Sequence, residues 1–280
     1  MMAAPARGQG NSSFGRSLGT GVALAAVVSA AGGVTWSHSH GLLPPAAEAP
    51  RLTYLANEGV TLEGSGGLVL VDALFGDGLP QYTAVPPGLR DSLELARPGF
   101  DGPALVLTTH AHRDHHDAAA LGRYLTSNPK ARSLGPPDPG APPDSVDLGW
   151  VRVRALALPH GRTVRPVGHA AWLVTLDGIT ALHIGDTMSE PDSWPAFGLP
   201  AAGVDLALVP YWYALEEARF ARVLAVTRAR AVVVLHAPLG PEGDSLASRG
   251  GWEAWSRDLR RRYPQVRAPS RPGTAVDYTR

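Results

Sequence analysis

The sequence predicts a mixed fold of the α/β (α+β) class, in which buried strands are covered by helices. Eight short runs predict strands, and several of them are apolar throughout, which is typical of strands buried on both faces. Four segments with helical patterns alternate with these runs and would supply the covering helices. With 280 residues, of which 44% are hydrophobic and 18% are charged, the chain is long enough to bury a substantial core.

The N-terminal region differs in composition from the rest of the chain. Arg7 and Arg16 precede an apolar run over 18–28, and the small residues 29–31 follow it, which is the order found in a secretory signal peptide. We therefore expect cleavage near Ala30 or Ala31, and export to the periplasm or the cell exterior. A membrane anchor that stays uncleaved, or a disordered leader, is the alternative, although the run is shorter than the roughly 18 residues that a membrane-spanning helix needs.

A linker rich in Pro and Ala, residues 42–50, follows this leader. The sequence thus predicts a leader and linker over 1–50 and one folded domain over 51–280. The predicted strands are 52–56, 67–72, 104–107, 151–158, 170–176, 180–184, 204–209 and 231–235. The predicted helices are 89–96, 117–125, 215–228 and 252–262. Asp177 and Gly178 predict a hairpin turn, and the segment 136–143 predicts a surface loop.

Four histidines and two aspartates lie within eight residues, shortly after the predicted strand 104–107. The segment 110–117 reads His-Ala-His-Arg-Asp-His-His-Asp. Imidazole and carboxylate are the ligands that proteins offer to borderline divalent ions, and packing does not explain so dense a cluster. The chain has no cysteine, so any metal must be held by nitrogen and oxygen atoms. The segment therefore predicts metal-assisted hydrolysis.

Three further residues of metal-ligand type follow predicted strands: His160, Asp186 and His236. Functional side chains gather at one end of the strands in sheets covered by helices, because the loops there can converge. A single histidine such as His160 or His236 is, taken alone, more often an ordinary polar group at a strand end than a metal ligand. Together with the segment 110–117, however, they predict one shared site.

These blocks resemble the five-motif signature of the metallo-β-lactamase-fold hydrolases. They occur in the expected order, as His110-x-His112-x-Asp114-His115, His160, Gly185-Asp186 and His236, with Asp72 as the early strand-end aspartate. The resemblance spans 52 to about 238, and it implies that family's four-layer αββα sandwich. The segments 54–59, 71–75 and 183–213 are also similar to the branch of the superfamily that contains ascorbate-phosphate lactonases.

The resemblance also implies a dinuclear site with every ligand position filled. His110, His112 and His160 would bind the first ion, Asp114, His115 and His236 would bind the second, and Asp186 would bridge the two. The ions would be Zn²⁺, with Fe or Mn as alternatives, because the ligand set does not select one metal. Counting both ions, the two ligating aspartates and one hydroxide, the site would keep a net charge of about plus one.

A site of this kind predicts a hydrolase that acts on a small ester, lactone, amide or phosphoester. Hydroxide held between the ions would attack the substrate, and Asp114 and Asp186 would be the catalytic residues, with Asp114 also able to pass a proton. A phosphodiesterase or nuclease of the same fold is one alternative. A metal-stabilised binding protein without turnover is the other.

Three more residues are candidates for supporting or substrate-facing roles. His183 lies on the strand that leads to Asp186, and we expect it to hold a ligating imidazole; His169 could face a substrate. Tyr211 could wall a substrate pocket or donate its phenol, with core packing as the alternative. The formal net charge is zero, so we expect a small-molecule substrate and no nucleic-acid partner. The oligomeric state is not predicted.

Overall fold

The computed structural model describes residues 48–138, 145–161, 167–239 and 246–279. The predicted leader and its cleavage site lie outside the described residues, as does the segment 139–143 of the predicted surface loop. Within the described residues, no helix has the length and apolar character needed to cross a membrane.

Thirteen strands and four α-helices form in the described part of the chain. The strands are β1 (Arg51–Ala56), β2 (Gly59–Gly64), β3 (Gly67–Val71), β4 (Ala104–Leu107), β5 (Ala131–Leu134), β6 (Ser145–Asp147), β7 (Val151–Leu156), β8 (Ala171–Leu176), β9 (Ile179–His183), β10 (Leu206–Pro210), β11 (Ala231–Leu235), β12 (Val266–Arg267) and β13 (Thr274–Val276). The helices are α1 (Pro87–Glu94), α2 (Ala118–Ser127), α3 (Glu217–Thr227) and α4 (Gly251–Arg262).

The strands form two mixed sheets that follow the same plan. The first sheet has the order β13-β1-β2-β3-β4-β5, and the second has the order β12-β11-β10-β9-β8-β7-β6. Each contains an antiparallel meander of three strands, β1 to β3 or β7 to β9, that continues into parallel strands. The parallel strands of a sheet end at the same edge, so the residues that follow them are brought together.

Alternating side chains define the four layers. In β3, Val69 and Val71 pack between the two sheets, whereas Leu68 and Leu70 belong to the cluster that contains α1 and α2 residues. Strands of the second sheet alternate in the same way, with one face toward the first sheet and the other toward α3 and α4. The order is therefore helices, sheet, sheet and helices, which confirms the predicted αββα sandwich.

All eight predicted strands and all four predicted helices are present, with ends that differ by at most two residues. The Asp177-Gly178 turn is confirmed, since Leu176 pairs with Ile179 and both turn residues have positive φ, 47° and 80°. A second two-residue turn joins β1 to β2, where Ala56 pairs with Gly59 and Asn57 has φ 48°. This second turn was not predicted, and it lies at the functional site.

Candidate metal centre

The residues predicted to form a metal site all meet at one edge of the two sheets. Asp72 follows β3, the segment 110–115 follows β4, Asp186 follows β9, and His236 follows β11 directly. His160 lies beyond β7 and forms an isolated bridge with Thr187, while His110 forms one with His169. The His110–His169 bridge ties a loop of the first sheet to a loop of the second, whereas the His160–Thr187 bridge joins two loops of the second sheet.

One group of donor atoms, the first donor cluster, consists of His110, His112, His160 and Asp186. Their ligand atoms all lie within 4.8 Å of one another. The Oδ2 atom of Asp186 is 3.7 Å from Nε2 of His110 and 3.9 Å from Nε2 of His160. His112 completes the cluster, with its Nδ1 atom 2.9 Å from Nε2 of His110.

A second donor cluster consists of Asp114, His115 and His236, again with ligand atoms within 4.8 Å of one another. Nε2 of His115 and Nε2 of His236 each lie 3.7 Å from Oδ2 of Asp114. The same two nitrogen atoms lie 3.4 Å and 3.2 Å from Oδ1 of Asp186. The two oxygens of the Asp186 carboxylate therefore face different donor clusters.

At three strand ends the backbone adopts the left-handed conformation and turns the chain toward the two donor clusters. Asp72 has φ 46°, Gly185 has φ 53° and His236 has φ 61°. For a residue other than glycine this conformation costs roughly 1–3 kcal/mol, and such strain concentrates at functional sites. Position 185 also has no room for a side chain, because a Cβ there would lie 2.7 Å from Nε2 of His169.

Asp72 fixes the orientation of His115 from behind. Its Oδ2 atom accepts a hydrogen bond from Nδ1 of His115 at 2.8 Å, and Thr109 donates to both carboxylate oxygens, at 2.7 Å and 2.6 Å. With the proton on Nδ1, the lone pair of His115 is on Nε2, which faces Asp114 and Asp186. A carboxylate in this position sets the tautomer of a metal-binding imidazole.

Buried negative charge dominates the electrostatics of the site. Burial alone would lower the pKa of His115, but Asp186 and Asp72 raise it well above its usual range. Burial alone would raise the pKa of Asp186, yet His236 and His115 hold it well below its usual range. The carboxylates thus require nearby positive charge, which a proton on an imidazole or a metal cation can supply.

The donor set fits metal ions. Among the described residues, Nε2 of His115, His160 and His236 and Oδ1 of Asp186 are buried without a hydrogen-bond partner. Such orphaned atoms are costly unless they bind something. Ligands of a tetrahedral ion at 2.0–2.2 Å lie roughly 3.3–3.6 Å apart, close to the separations within the two clusters. Imidazole and carboxylate suit Zn²⁺, Fe²⁺ and Mn²⁺.

The family follows from a sequence comparison. Residues 51–236 match the model of the beta-lactamase superfamily domain, which is well over half of the chain. The chain belongs to this family. A UPF0173 metal-dependent hydrolase from Nitratidesulfovibrio vulgaris (strain DP4) is 28% identical over 216 residues, which cover 66% of this chain and 79% of that protein.

Solved structures agree with the fold of this beta-lactamase superfamily member. A possible metal-dependent hydrolase from Veillonella parvula has a TM-score of 0.54 and 16% identity, over 81% of this chain and 99% of that chain. The metallo-β-lactamase fold protein YhfI from Bacillus subtilis has a TM-score of 0.50 and 14% identity, over 82% and 100%. At these identities the matches establish the metallo-β-lactamase fold alone.

His183 and His169, for which supporting or substrate-facing roles were predicted, both donate hydrogen bonds to backbone carbonyls. His183 does not contact a ligating imidazole through a hydrogen bond; its Nε2 donates to the carbonyl of Glu58 at 3.0 Å. His169 donates from Nδ1 to the carbonyl of Leu158 at 2.6 Å, and burial lowers its pKa to about 4. Its Nε2 atom is buried and has no hydrogen-bond partner among the described residues.

The aromatic segment after β10 has mixed roles in this family member. Tyr213 is fully buried, and its hydroxyl lies 2.9 Å and 2.8 Å from the carbonyl oxygens of Thr187 and Ser189. Tyr211 stacks edge-on against Trp212 and Trp255. Trp212 reaches the site, with its ring centroid 4.9 Å from that of His236.

A cleft of about 720 Å³ opens beside the two donor clusters. Its described lining consists of His160, Gly161, Asp186, Met188 and Trp212. Met188 is 49% exposed, so it offers apolar surface at the mouth of the cleft. A small molecule can therefore reach Asp186 from solvent.

Three residues at the site were not predicted from the sequence: Asn57, Glu58 and Tyr82. Tyr82 packs edge-on against His236, with ring centroids 4.0 Å apart. Glu58 is 1% exposed, and its Oε2 atom lies 4.0 Å from Nδ1 of both His115 and His183. Burial, together with Asp186, raises the pKa of Glu58 well above its usual range. A two-residue spacing between β1 and β2 could have predicted a turn at Asn57 and Glu58, but not the contacts of that turn with the site.

Proposed function

We propose that the protein is a dinuclear metal-dependent hydrolase that acts on a small ester, lactone, amide or phosphoester. The chain is a metal-dependent hydrolase by its family, its donor clusters and its similarity to a protein named as one. In our proposal the first donor cluster binds one ion, the second binds another, and Asp186 is shared between them. Zn²⁺ is the proposed metal, with Fe²⁺ or Mn²⁺ as outcomes of the test.

One observation carries the dinuclear proposal: the two oxygens of Asp186 face different histidine pairs. Oδ2 lies near His110 and His160, whereas Oδ1 lies near His115 and His236. If Asp186 served a single ion, one of these pairs of imidazole nitrogens would stay buried without a partner for its lone pairs. A second ion satisfies both oxygens and both pairs of imidazole nitrogens at once.

When bound, such ions lower the pKa of water from about 15.7 to about 7, which supplies hydroxide at neutral pH. The protein's own groups hold the reactants. Asp114, which is 2% exposed, is placed to orient the nucleophile and to pass a proton to the leaving group. Asp72 and the two proposed ligating aspartates bring three negative charges, so the site with two ions and one hydroxide is about neutral rather than plus one.

The substrate enters through the cleft lined by Met188 and Trp212 in this proposal. The apolar surface there suits the carbon skeleton of a small ester or lactone, while His160 and Asp186 lie at its inner end. A phosphodiester remains the competing substrate class, since a dinuclear centre suits both chemistries. The narrower similarity to ascorbate-phosphate lactonases stays a prediction, as does export by the N-terminal leader.

The test combines metal analysis with a substrate panel. Metal-free protein is loaded separately with Zn²⁺, Fe²⁺ and Mn²⁺, and its bound metal is counted. It is then assayed on p-nitrophenyl acetate, a γ-lactone, an anilide, a cephalosporin and bis-p-nitrophenyl phosphate. We expect two ions per chain and metal-dependent turnover of a carbonyl substrate, lost in Asp186→Ala and His112→Ala but kept in Leu95→Ala, whose side chain is 51% exposed.

Three results would count against this function. Turnover of the phosphodiester alone would favour the phosphodiesterase alternative. Two bound ions without turnover of any substrate would favour a binding protein that keeps the scaffold. Full activity in Asp186→Ala would contradict the mechanism itself.

A further inference from the structure

The turn between β1 and β2 contacts the second donor cluster directly. Asn57 is fully buried, and its Nδ2 atom donates to the carbonyl oxygen of Asp114 at 3.1 Å and to Oδ2 of Asp114 at 3.3 Å. The reverse orientation of the amide would put an oxygen against both acceptors of Asp114. The contacts therefore fix which way the Asn57 side chain points.

The backbone of the same turn holds residues of the other sheet. The carbonyl of Asn57 accepts a hydrogen bond from the backbone N–H of His236 at 3.0 Å. The carbonyl of Glu58 accepts one from Nε2 of His183 at 3.0 Å. His236 has the left-handed φ of 61°, so the bond to Asn57 supports a backbone conformation that histidine does not readily adopt.

The fit of this turn is close. Asn57 itself has φ 48°, a conformation that asparagine tolerates better than most residues. Gly59 follows the turn, and a Cβ there would lie 2.9 Å from the carbonyl oxygen of Asp72 and 3.0 Å from that of Ala56. The turn is thus pressed against the end of β3 and cannot shift without moving Asp72.

We propose that Asn57 is a positioning residue for the second donor cluster. Its side-chain amide holds the Asp114 carboxylate at the angle where Oδ2 faces both His115 and His236, and its carbonyl holds His236 in place. Asn57 contacts no member of the first donor cluster through a hydrogen bond among those described. Its loss weakens binding of one ion and leaves the other unchanged. This inference rests on the dinuclear function proposed above.

The chain offers a matched control in the turn between β8 and β9. Asp177 occupies the first position of a two-residue turn, with φ 47°. Its side chain, like that of Asn57, makes two hydrogen bonds: the carboxylate accepts from Ser65 N and Ser65 Oγ, both at 2.6 Å. Glycine at either position keeps the backbone conformation and removes only the side chain. Asn57→Gly therefore removes the hydrogen-bond partner of Asp114, whereas Asp177→Gly removes the partner of Ser65.

The experiment measures Zn²⁺ binding to metal-free, full-length protein by competition with a chromogenic chelator. We expect two dissociation constants in the parent protein. In Asn57→Gly, one constant should rise about 10- to 100-fold, the range for loss of a group that orients a metal ligand, and the other should stay within about three-fold. Asp177→Gly should change neither. In an Asp114→Ala background, Asn57→Gly should add little further loss, because the carboxylate that Asn57 holds is already absent and only the bond to the residue 114 carbonyl is left to lose.

A structural role alone would appear as weaker binding of both ions in Asn57→Gly, or as equal effects of the two glycine variants, and either result overturns the inference. Unchanged constants in Asn57→Gly overturn it as well, while the dinuclear function stands. If the parent protein binds a single ion, the dinuclear function fails and the inference fails with it. Urea unfolding of each metal-free variant shows whether the fold is intact.

Discussion

Nδ1 of His115 donates a hydrogen bond to Oδ2 of Asp72 at 2.8 Å, which leaves Nε2 of His115 facing the Asp114 and Asp186 carboxylates. Asp72 follows β3 and His115 follows β4, so the contact joins two neighbouring parallel strands at their ends. Both groups are buried. The pair therefore sets the tautomer and the direction of one imidazole in the second donor cluster.

Asp72→Asn should weaken metal binding without unfolding the protein. Asparagine tolerates the φ of 46° but cannot accept from both Thr109 and His115 as the carboxylate does. We expect Zn²⁺ affinity to fall about 10- to 100-fold in a chelator competition assay. Asp177→Asn, which removes a charge at a similar φ away from the site, is the control. Equal affinity in the parent protein and Asp72→Asn would refute the orienting role of Asp72.

Trp212→Ala should impair substrate binding more than chemistry. The indole ring lines the cleft but does not bind metals. Its removal therefore takes away contacts that the bound substrate and the transition state share. We expect KM to rise about 10-fold and kcat to stay within about two-fold, on any substrate that the panel identifies. Trp212→Phe, which keeps an apolar wall, should restore most of the KM. A fall in kcat at constant KM would show that Trp212 acts on the reaction instead.

Leu206→Ala should destabilise the sandwich by about 2–5 kcal/mol, the usual cost of truncating a large aliphatic side chain in a core. Leu206 is fully buried between the two sheets, in the cluster that also contains Val69 and Val233. Leu95→Ala, at an exposed position, should change stability by less than about 0.5 kcal/mol. Urea unfolding of the metal-free proteins measures both. Equal effects of the two substitutions would mean that the described core is wrong.

Tyr278 should make stability fall at high pH. Its hydroxyl donates to the carbonyl of Pro50 at 2.5 Å, and burial, with smaller contributions from Asp205 and Asp177, raises its pKa to about 12. Because the unfolded chain ionises near pH 10, this stabilisation is complete below about pH 10 and is lost as the pH rises through 12. The free energy of unfolding should therefore fall less between pH 9 and pH 12 in Tyr278→Phe than in the parent protein. An equal fall in both proteins would show that Tyr278 does not cause the loss of stability.

The sequence predicted every central strand of the two sheets except β2, and none of the four edge strands. β5, β6, β12 and β13 are two to four residues long and lie at the edges of the two sheets. Edge strands are short and are covered on fewer sides, so they carry little of the apolar pattern that marks a central strand. β2 was also missed, because Gly59 and Gly64 at its two ends weaken the strand pattern.

At the candidate site, the residues that could be predicted stand close together in the sequence, whereas those that were missed depend on contacts between distant parts of the chain. His110, His112, Asp114 and His115 could be found because they stand together after one strand. Asn57 and Glu58 reach the site through a turn whose contacts with His236 and His183 come from the far sheet, over more than 100 residues of chain. No local pattern encodes such contacts. Asp117, which stands beside the cluster, instead caps α2 by accepting from Ala119 N and Ala120 N.

The proposed dinuclear function is tested most directly by a crystal structure of the Zn²⁺-loaded protein, with anomalous difference maps recorded above and below the zinc edge. We expect two zinc peaks that flank Asp186, one beside His110, His112 and His160 and the other beside Asp114, His115 and His236. A single peak, or peaks that Asp186 does not touch, would contradict the shared carboxylate on which the proposed function rests.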